Sequence, residues 1–265
     1  MFLENMTWVA AKEFIGEETL AVIPTGSVEQ HGPGCPLGTD YVLALEMAKD
    51  IDRAHPKEVL TLPPIPFGIC YYHEDFPGTV DVGVEAFTVY VSNVVKSLMH
   101  HGIRKFLFVN GHGGNGGALD HICRGMIWEN GGLGVVYEWW TPLWKLMPED
   151  LPTHWGHGDA PEISLMLHAR PGCVDPNMKL ECRTKNISDT LLTDYVSTVS
   201  FKNVSMRVGR HVCDVVENGL YEDGSGKNVP SAELGKKMYE TANTFINEFV
   251  TEFLSVKLPT KCDRK

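Results

Sequence analysis

The sequence lacks several features that would place it outside the ordinary globular proteins. No uninterrupted apolar stretch approaches the roughly 18 residues that a membrane helix needs, and residues 1–5 do not begin a basic segment followed by an apolar run. Its seven cysteines are odd in number, scattered and free of C-x-x-C pairs, so we expect mostly reduced thiols. These absences predict a cytoplasmic protein with no membrane partner.

Positive charge is also scarce. The chain has 23 Lys and Arg against 34 Asp and Glu, and its net charge of −11 has the wrong sign for a surface that neutralises phosphates. We therefore exclude nucleic acid as a partner. The 265 residues, 43% of them hydrophobic, are enough to bury a sizeable core, and the simplest organisation is a single domain over residues 1–265.

Strand-like and helix-like segments alternate along the first half of the chain. Short apolar runs that end in glycine-containing loops are typical of buried parallel strands. Such runs occupy residues 19–24, 105–109 and 134–137, and helical periodicity covers residues 40–54, 84–100 and 118–128. Thr39 or Asp40 is expected to cap the first of these helices. The alternation predicts an α/β fold with a mostly parallel central sheet, whose ligands bind beyond the carboxyl ends of the strands.

The second half of the chain gives weaker signals. A helix is predicted to begin near Pro161, a residue suited to a first helical turn. Residues 177–225 show little periodicity and predict short strands with an irregular loop. Residues 231–254 read as a C-terminal helix capped by Ser231.

Glu29, His31 and Asp40 follow the first predicted strand. In an extended stretch residues i and i+2 point the same way, so Glu29 and His31 can face one point, and the glycines and prolines allow the chain to bring Asp40 back to it. Carboxylates and imidazoles are ligands of Zn²⁺, Mn²⁺ and Fe²⁺. The alternative is a polar loop without a metal, because such triplets are common.

Two further loops carry similar chemistry. Residues 110–115 read N-G-H-G-G-N and set His112 among glycines. Glycine-rich loops also cradle phosphates, but no Lys-Ser or Lys-Thr pair follows, which disfavours a P-loop. Residues 154–162 place His157 and Glu162 at the start of an apolar helix. Three loops with histidines and acids, each after a strand-like run, are hard to assign to packing.

These segments resemble the creatininase (creatinine amidohydrolase) family. The family's G-S-x-E-Q-H-G-P-H-x-P-x-x-x-D stretch is similar to residues 26–40, and its N-G-H-G-G-N loop is matched without change by residues 110–115. Its E-H-x-x-F-P-G-T and H-A-G-x-x-E-T-S segments are approximated by residues 72–79 and 157–164. The matches occur in the family's order, which strengthens the metal-site hypothesis.

The resemblance implies a three-layer α/β/α sandwich that assembles as a homohexamer. It also implies two divalent ions per chain, Zn²⁺ and/or Mn²⁺, with Fe²⁺ as a third candidate. Asp40 would bridge the ions, Glu29 and His112 would complete one shell, and His31 would hold the other ion with a second carboxylate.

The source of that second carboxylate is one departure from the pattern. In creatininase itself it comes from the residue two after the loop histidine, where this chain has Gly114, so Glu162 is assigned instead. The family's second histidine in G-P-H is replaced by Gly34, followed by Cys35. Cys35 is either a soft ligand or nucleophile near the metals, or a small packed residue.

The family also suggests catalytic and substrate-binding residues. His157 matches a catalytic histidine and would give the leaving nitrogen its proton, which a near-neutral pKa suits; a third metal ligand and a hydrogen-bonded loop histidine are the alternatives. Glu162 is expected to contribute to catalysis as well as to metal binding. Substrate binding is assigned to aromatic and imidazole side chains, with core packing the alternative for the tryptophans. They are His73, Trp139, Trp140 and Trp155.

The implied reaction is hydrolysis of a small cyclic amide or related carbonyl compound. Two ions lower the pKa of a bridging water and polarise a carbonyl group, so that hydrolysis proceeds at neutral pH. The family is chemically broad: members open creatinine, deformylate formamido-pyrimidines, cleave a peptide in redox-cofactor maturation, or hydrolyse a carbon–carbon bond of a cyclic diketone such as 3-dehydro-scyllo-inosose. A non-catalytic protein that retains the metals for structure is the alternative from another class, and the presence of all five ligands argues against it.

Overall fold

The fold is organised around a four-stranded parallel sheet with the strand order β2-β1-β3-β4. The computed structural model describes residues 1–129, 131–151, 156–175, 178, 181–221 and 229–258. The strands of this sheet are β1 (Leu20–Thr25), β2 (Val59–Thr61), β3 (Lys105–Asn110) and β4 (Leu133–Glu138). Every residue of β1 and β3 is buried, as their continuous apolar runs predict.

The register of the sheet aligns the carboxyl ends of its central strands. Thr25, the last residue of β1, pairs with Asn110 at the end of β3, and Asn110 pairs in turn with Glu138 at the end of β4. The loops that follow β1 and β3 therefore start side by side. This places the motifs of residues 26–40 and 110–115 at one edge of the sheet.

Helices cover both faces of the sheet. They are α1 (Trp8–Phe14), α2 (Thr39–Ala54), α3 (Val84–His100), α4 (Gly116–Glu129), α5 (Leu143–Leu146), α6 (Ala160–Ala169) and α7 (Ala232–Ser255). Alternate strand residues point to opposite faces: Val22 and Leu107 lie in a core with α2, α6 and α7, whereas Ile23 and Phe108 lie in a core with α3 and α4. The three-layer α/β/α arrangement is confirmed.

A second, three-stranded antiparallel sheet lies in the region of weak periodicity. It consists of β5 (Leu192–Tyr195), β6 (Thr198–Phe201) and β7 (Val204–Arg207), in that order. Lys202 and Asn203 connect β6 to β7 with φ values of 50° and 63°, the backbone that a tight two-residue hairpin requires. The prediction of short strands in this region is confirmed.

The helix termini agree with the sequence in two cases and differ in one. Ser231 caps α7 by accepting a hydrogen bond from the Leu234 N–H, and Pro161 lies in the first turn of α6. The prediction that Thr39 or Asp40 caps α2 is wrong, because the cap position is Gly38. The Thr39 hydroxyl donates to the Pro36 carbonyl, and Asp40 faces buried imidazoles instead.

Among the described residues, no helix is both long enough and apolar enough to cross a membrane.

The crossing of α6 and α7 yields a stability prediction. A Cβ at Gly235 in α7 would overlap the Ser164 carbonyl of α6, whereas a Cβ at Gly125 in α4 meets no atom within 4 Å. We expect Gly235→Ala to lower the free energy of unfolding by about 1–3 kcal/mol through overpacking. Gly125→Ala should raise it by about 0.5–1 kcal/mol, because alanine restricts the unfolded chain.

Urea denaturation midpoints of the two variants and the wild type measure both effects. Shifts of the same sign in the two variants would contradict the close approach of α6 and α7 at Gly235.

Candidate metal centre

The five predicted ligands meet at the carboxyl edge of the parallel sheet. Glu29 and His31 lie in the loop after β1, and His112 lies in the loop after β3. Asp40 comes from the first turn of α2 and Glu162 from the first turn of α6. All five side chains are buried. The structure thus brings together residues that are separated by up to 133 positions in sequence, from Glu29 to Glu162.

Asp40 lies between two imidazoles. Its Oδ1 is 2.8 Å from His31 Nε2, and its Oδ2 is 3.1 Å from His112 Nδ1. Glu29 Oε1 lies 3.2 Å from the same His112 nitrogen, and Glu162 Oε2 lies 3.9 Å from His31 Nε2. Two of the groups that could hold an ion therefore share Asp40: Glu29, Asp40 and His112 form one, and His31, Asp40 and Glu162 form the other, with ligand atoms within 4.8 Å of one another in each.

Backbone carbonyls orient both imidazoles. His31 Nδ1 lies 3.1 Å from the Glu29 carbonyl oxygen, and His112 Nε2 lies 2.9 Å from the Ile69 carbonyl oxygen. Because a carbonyl only accepts hydrogen bonds, each of these nitrogens is assigned as the N–H donor. The opposite nitrogen of each ring then faces the carboxylates, the arrangement that metal-binding histidines adopt in proteins.

The carboxylates of the cluster favour positive charge on the neighbouring histidines. Burial alone would lower the pKa of His31, but the carboxylates of Asp40 and Glu162 outweigh burial and raise it to about 10. Burial is likewise outweighed at His112, where Glu29 raises the pKa well above its usual value. The neighbouring carboxylates thus favour the protonated form of both rings, while burial raises the pKa of Glu29.

Two carboxylate oxygens in the cluster have no hydrogen-bond donor within the described part of the chain. They are Glu29 Oε2 and Asp40 Oδ2, and the second of these oxygens lies 3.1 Å from His112 Nδ1. A buried carboxylate oxygen without a partner is costly. Divalent cations with mixed oxygen and nitrogen ligands would satisfy both oxygens, so the residues fit a metal such as Zn²⁺ or Mn²⁺.

Gly114 leaves no room for a side chain. A Cβ there would overlap the Ile69 carbonyl, His112 Nε2 and the Tyr72 hydroxyl. A carboxylate cannot therefore reach the centre from this position without displacing the groups that hold His112. Glu162 approaches from α6 instead, and its Oε2 accepts a 2.6 Å hydrogen bond from the Gly158 N–H.

His157 stacks between two other imidazoles. Its ring centroid lies 4.5 Å from that of His31 and 4.4 Å from that of His73, and its Nε2 lies 2.7 Å from the Gln30 carbonyl oxygen. Burial, followed by repulsion from His31, lowers the pKa of His157 to about 4. The expectation of a near-neutral pKa at His157 is therefore wrong.

Gln30 organises this stack, a role that sequence reasoning missed. Its Oε1 accepts from the Gly32 N–H, and its Nε2 lies 3.1 Å from the Gly219 carbonyl oxygen and 2.7 Å from His73 Nδ1. The amide N–H₂ only donates, so His73 Nδ1 accepts and His73 Nε2–H lies 3.4 Å from Glu29 Oε1. Gln30 stands inside the matched E-Q-H motif, which was the available signal.

The centre opens into a cavity of about 970 Å³, and His73, His157 and Trp140 are among its lining residues. Trp139 does not line it. This tryptophan is 1% exposed and belongs to the buried core beside α2, α6 and α7, so its assignment to the substrate is wrong. Trp144 on α5 lines the cavity as well.

Two other residues singled out in the sequence are Trp155 and Cys35. Trp155 lies outside the described residues. Cys35 packs against the buried core, and burial raises the pKa of its thiol far above the usual value. Cys35 therefore behaves as a packed residue, and no candidate ligand group in the described chain includes it.

Comparison with known proteins agrees with this geometry. The chain matches the creatininase family, described as creatinine amidohydrolase, over residues 4–250. It is 36% identical over 161 residues to the mycofactocin precursor peptide peptidase of Mycobacterium tuberculosis (58% of this chain, 59% of the relative). It is also 36% identical over 114 residues to the 3-dehydro-scyllo-inosose hydrolase of Thermotoga maritima (43% of this chain, 36% of the relative). The alignments thus span about three fifths or less of these relatives' lengths.

Solved structures share the fold at low sequence identity. A Bacteroides fragilis protein assigned as a creatinine amidohydrolase has a TM-score of 0.79 and 20% identity, and the match covers 98% of each chain. Creatininases of the same fold include a manganese form and a zinc–zinc form of a variant, with TM-scores of 0.73 and 0.68 at 21% identity and coverage of 96% of this chain. With the family match over nearly its whole length, the chain belongs to the creatininase family.

Proposed function

We propose that this chain is a metal-dependent hydrolase that binds two divalent ions and cleaves an amide or a related carbonyl compound. The observation that carries the proposal is the position of Asp40, whose two oxygens serve both ligand groups. Glu29 and His112 would complete one shell, and His31 and Glu162 the other. Zn²⁺ and Mn²⁺ suit this mixed oxygen and nitrogen set, and Fe²⁺ is a third candidate.

The bound ions would supply Lewis acidity toward the substrate carbonyl and would lower the pKa of water. The protein contributes the geometry: the Gly158 N–H holds Glu162, and the Ile69 and Glu29 carbonyls hold His112 and His31. Because the ligand side chains are buried, their charges act at low effective dielectric.

His157 is placed to move a proton. Its Nε2–H donates to the Gln30 carbonyl, which leaves Nδ1 with a lone pair in the neutral ring. A lowered pKa keeps the imidazole neutral at pH 7. His157 Nδ1 would accept the proton released by the attacking water and then deliver it to the leaving group, while the Gln30 carbonyl stabilises the transient imidazolium.

Amide cleavage has more support than carbon–carbon bond hydrolysis. The relative aligned over 58% of this chain is named a peptide peptidase, whereas the inosose hydrolase aligns over 43%. The cavity of about 970 Å³ is at the upper end of the roughly 300–1,000 Å³ range of ligand pockets, which suits a substrate longer than a single ring. Formamides and small cyclic amides belong to the same reaction class.

The homohexamer, the cytoplasmic location and the single domain stay predictions.

A substrate panel tests the activity. With Mn²⁺ or Zn²⁺ bound, the protein should turn over at least one class among short peptides, formamides, cyclic amides and cyclic polyol ketones, with product release followed by mass spectrometry. Turnover that is absent in every class would favour the non-catalytic alternative. Turnover of cyclic polyol ketones alone would replace amide cleavage by carbon–carbon bond hydrolysis.

Substitution of the shared carboxylate tests the two-ion arrangement. Asp40→Asn should lower the occupancy of both ions, because the amide no longer supplies the charge that each shell uses. Inductively coupled plasma mass spectrometry should find close to two ions per wild-type chain. Asp194→Asn is the matched control, since Asp194 lines the same cavity outside the candidate ligand groups. A single tight ion that survives Asp40→Asn would defeat the arrangement.

Removal of the proposed proton carrier should separate chemistry from metal binding. We expect His157→Ala to retain its ions and to lose turnover by about 10²–10⁴-fold, the usual contribution of a general acid or base. His121→Ala on the exposed surface of α4 serves as control. If His157→Ala instead loses an ion, His157 belongs with Glu29 and His31 in a ligand group, which these three side chains are close enough to form.

A further inference from the structure

The active-site cavity has one arginine or lysine among its described lining residues. This residue is Arg207, at the end of β7. Arg207 is exposed to solvent, and its guanidinium makes no hydrogen bond and no ion pair within the described ranges of the chain, although two carboxylates outside the ligand groups, Glu138 and Asp194, also line the cavity. An arginine that faces a cavity without a protein partner has five N–H donors available for a ligand.

The pairing of β6 with β7 places two hydroxyl-bearing residues next to Arg207 in the sheet. Thr198 is directly opposite Arg207 in the register, and Ser205 lies two residues before it on the same strand. Cross-strand partners and residues i and i+2 share one face of a sheet, so the three side chains lie on the same face. All three line the cavity. One wall therefore presents two hydroxyls and a guanidinium, which are donors suited to an oxyanion.

Other parts of the cavity are aromatic. Tyr71, Trp140 and Trp144 line it together with the metal centre and the polar face of β6 and β7. An amphipathic ligand could place a carbonyl at the metal centre, an apolar segment against the aromatic side chains and an anion at Arg207.

We propose that Thr198, Ser205 and Arg207 form an anion subsite that receives a carboxylate of the substrate. The substrate would be an N-acylated amino acid or a short peptide with a free carboxylate, and this reading of the substrate rests on the proposed function. A single guanidinium balances a carboxylate, whereas a phosphate monoester of charge about −2 would keep one charge uncompensated. Arg207 is thus a specificity residue.

The test measures binding and does not depend on turnover. Isothermal titration calorimetry of the purified, Mn²⁺-supplemented protein would compare 4-phenylbutyrate, 4-phenylbutan-1-ol and 3-phenylpropyl phosphate, which share an aryl chain and contain no acyl bond to hydrolyse. We expect the wild type to bind the carboxylate at least about tenfold more tightly than the alcohol, as one charge-assisted hydrogen bond allows.

Variants assign the effect to the subsite. Arg207→Gln should abolish the preference for the carboxylate, and Arg207→Lys should restore part of it, because lysine keeps the charge but loses the planar fork. Arg183→Gln, at an exposed arginine that does not line the cavity, should leave the preference unchanged. Circular dichroism and the thermal midpoint would show that each variant is folded.

Three outcomes would overturn the proposal. The first is equal affinity for acid and alcohol in the wild type, including no detectable binding of either. The second is a preference for the acid that persists in Arg207→Gln, which would place the carboxylate on the metal ions. The third is an Arg207-dependent affinity for the phosphate that exceeds that for the carboxylate. None of these bears on whether the protein hydrolyses amides, which the substrate panel decides separately.

Discussion

The burial of three carboxylates around two imidazoles is the constraint on which the site depends. Asp40 is at its centre, with His31 on one oxygen and His112 on the other. Like charges brought together out of water repel strongly unless cations balance them. The raised pKa values of His31 and His112 reflect the same requirement, because the neighbouring carboxylates favour the charged form of each ring.

The parallel sheet makes this concentration of charge feasible. β1 and β3 are neighbours in register, so the loops that carry Glu29 and His112 leave the same edge side by side. The first turns of α2 and α6 reach that edge and bring Asp40 and Glu162. Partial positive charge at a helix N-terminus also favours carboxylates there. The buried cores on both faces of the sheet hold these four segments in place.

Local sequence pattern was sufficient to predict the strands whose residues are all buried and the helices whose apolar residues recur at helical spacing. The bounds of α3 follow from such patterns, as do the positions of β1 and β3 to within one residue at each end, and the motifs identified candidate metal ligands that the structure brings together. The short strand β2 has only three residues and offers too little pattern. Which candidate ligands lie close enough to share an ion depends on contacts between segments that are distant in sequence. The order of the motifs along the chain does not reveal those contacts.

The errors also have physical reasons. Trp139 and Trp140 are adjacent in sequence, yet their rings are perpendicular and only Trp140 reaches the cavity, which tertiary packing decides. The depressed pKa of His157 results first from its burial and then from His31, 126 positions away in sequence. The roles of Gln30 depend on Gly219 and His73, which only the folded chain brings near.

The proposed chemistry depends on two ions that share Asp40, and anomalous diffraction from crystals soaked with Mn²⁺ would locate them. We expect two anomalous peaks about 3.5–4 Å apart, both in contact with Asp40. One peak should also contact Glu29 and His112, and the other His31 and Glu162. A single peak, or two peaks of which only one touches Asp40, would show that Asp40 is not shared between two ions.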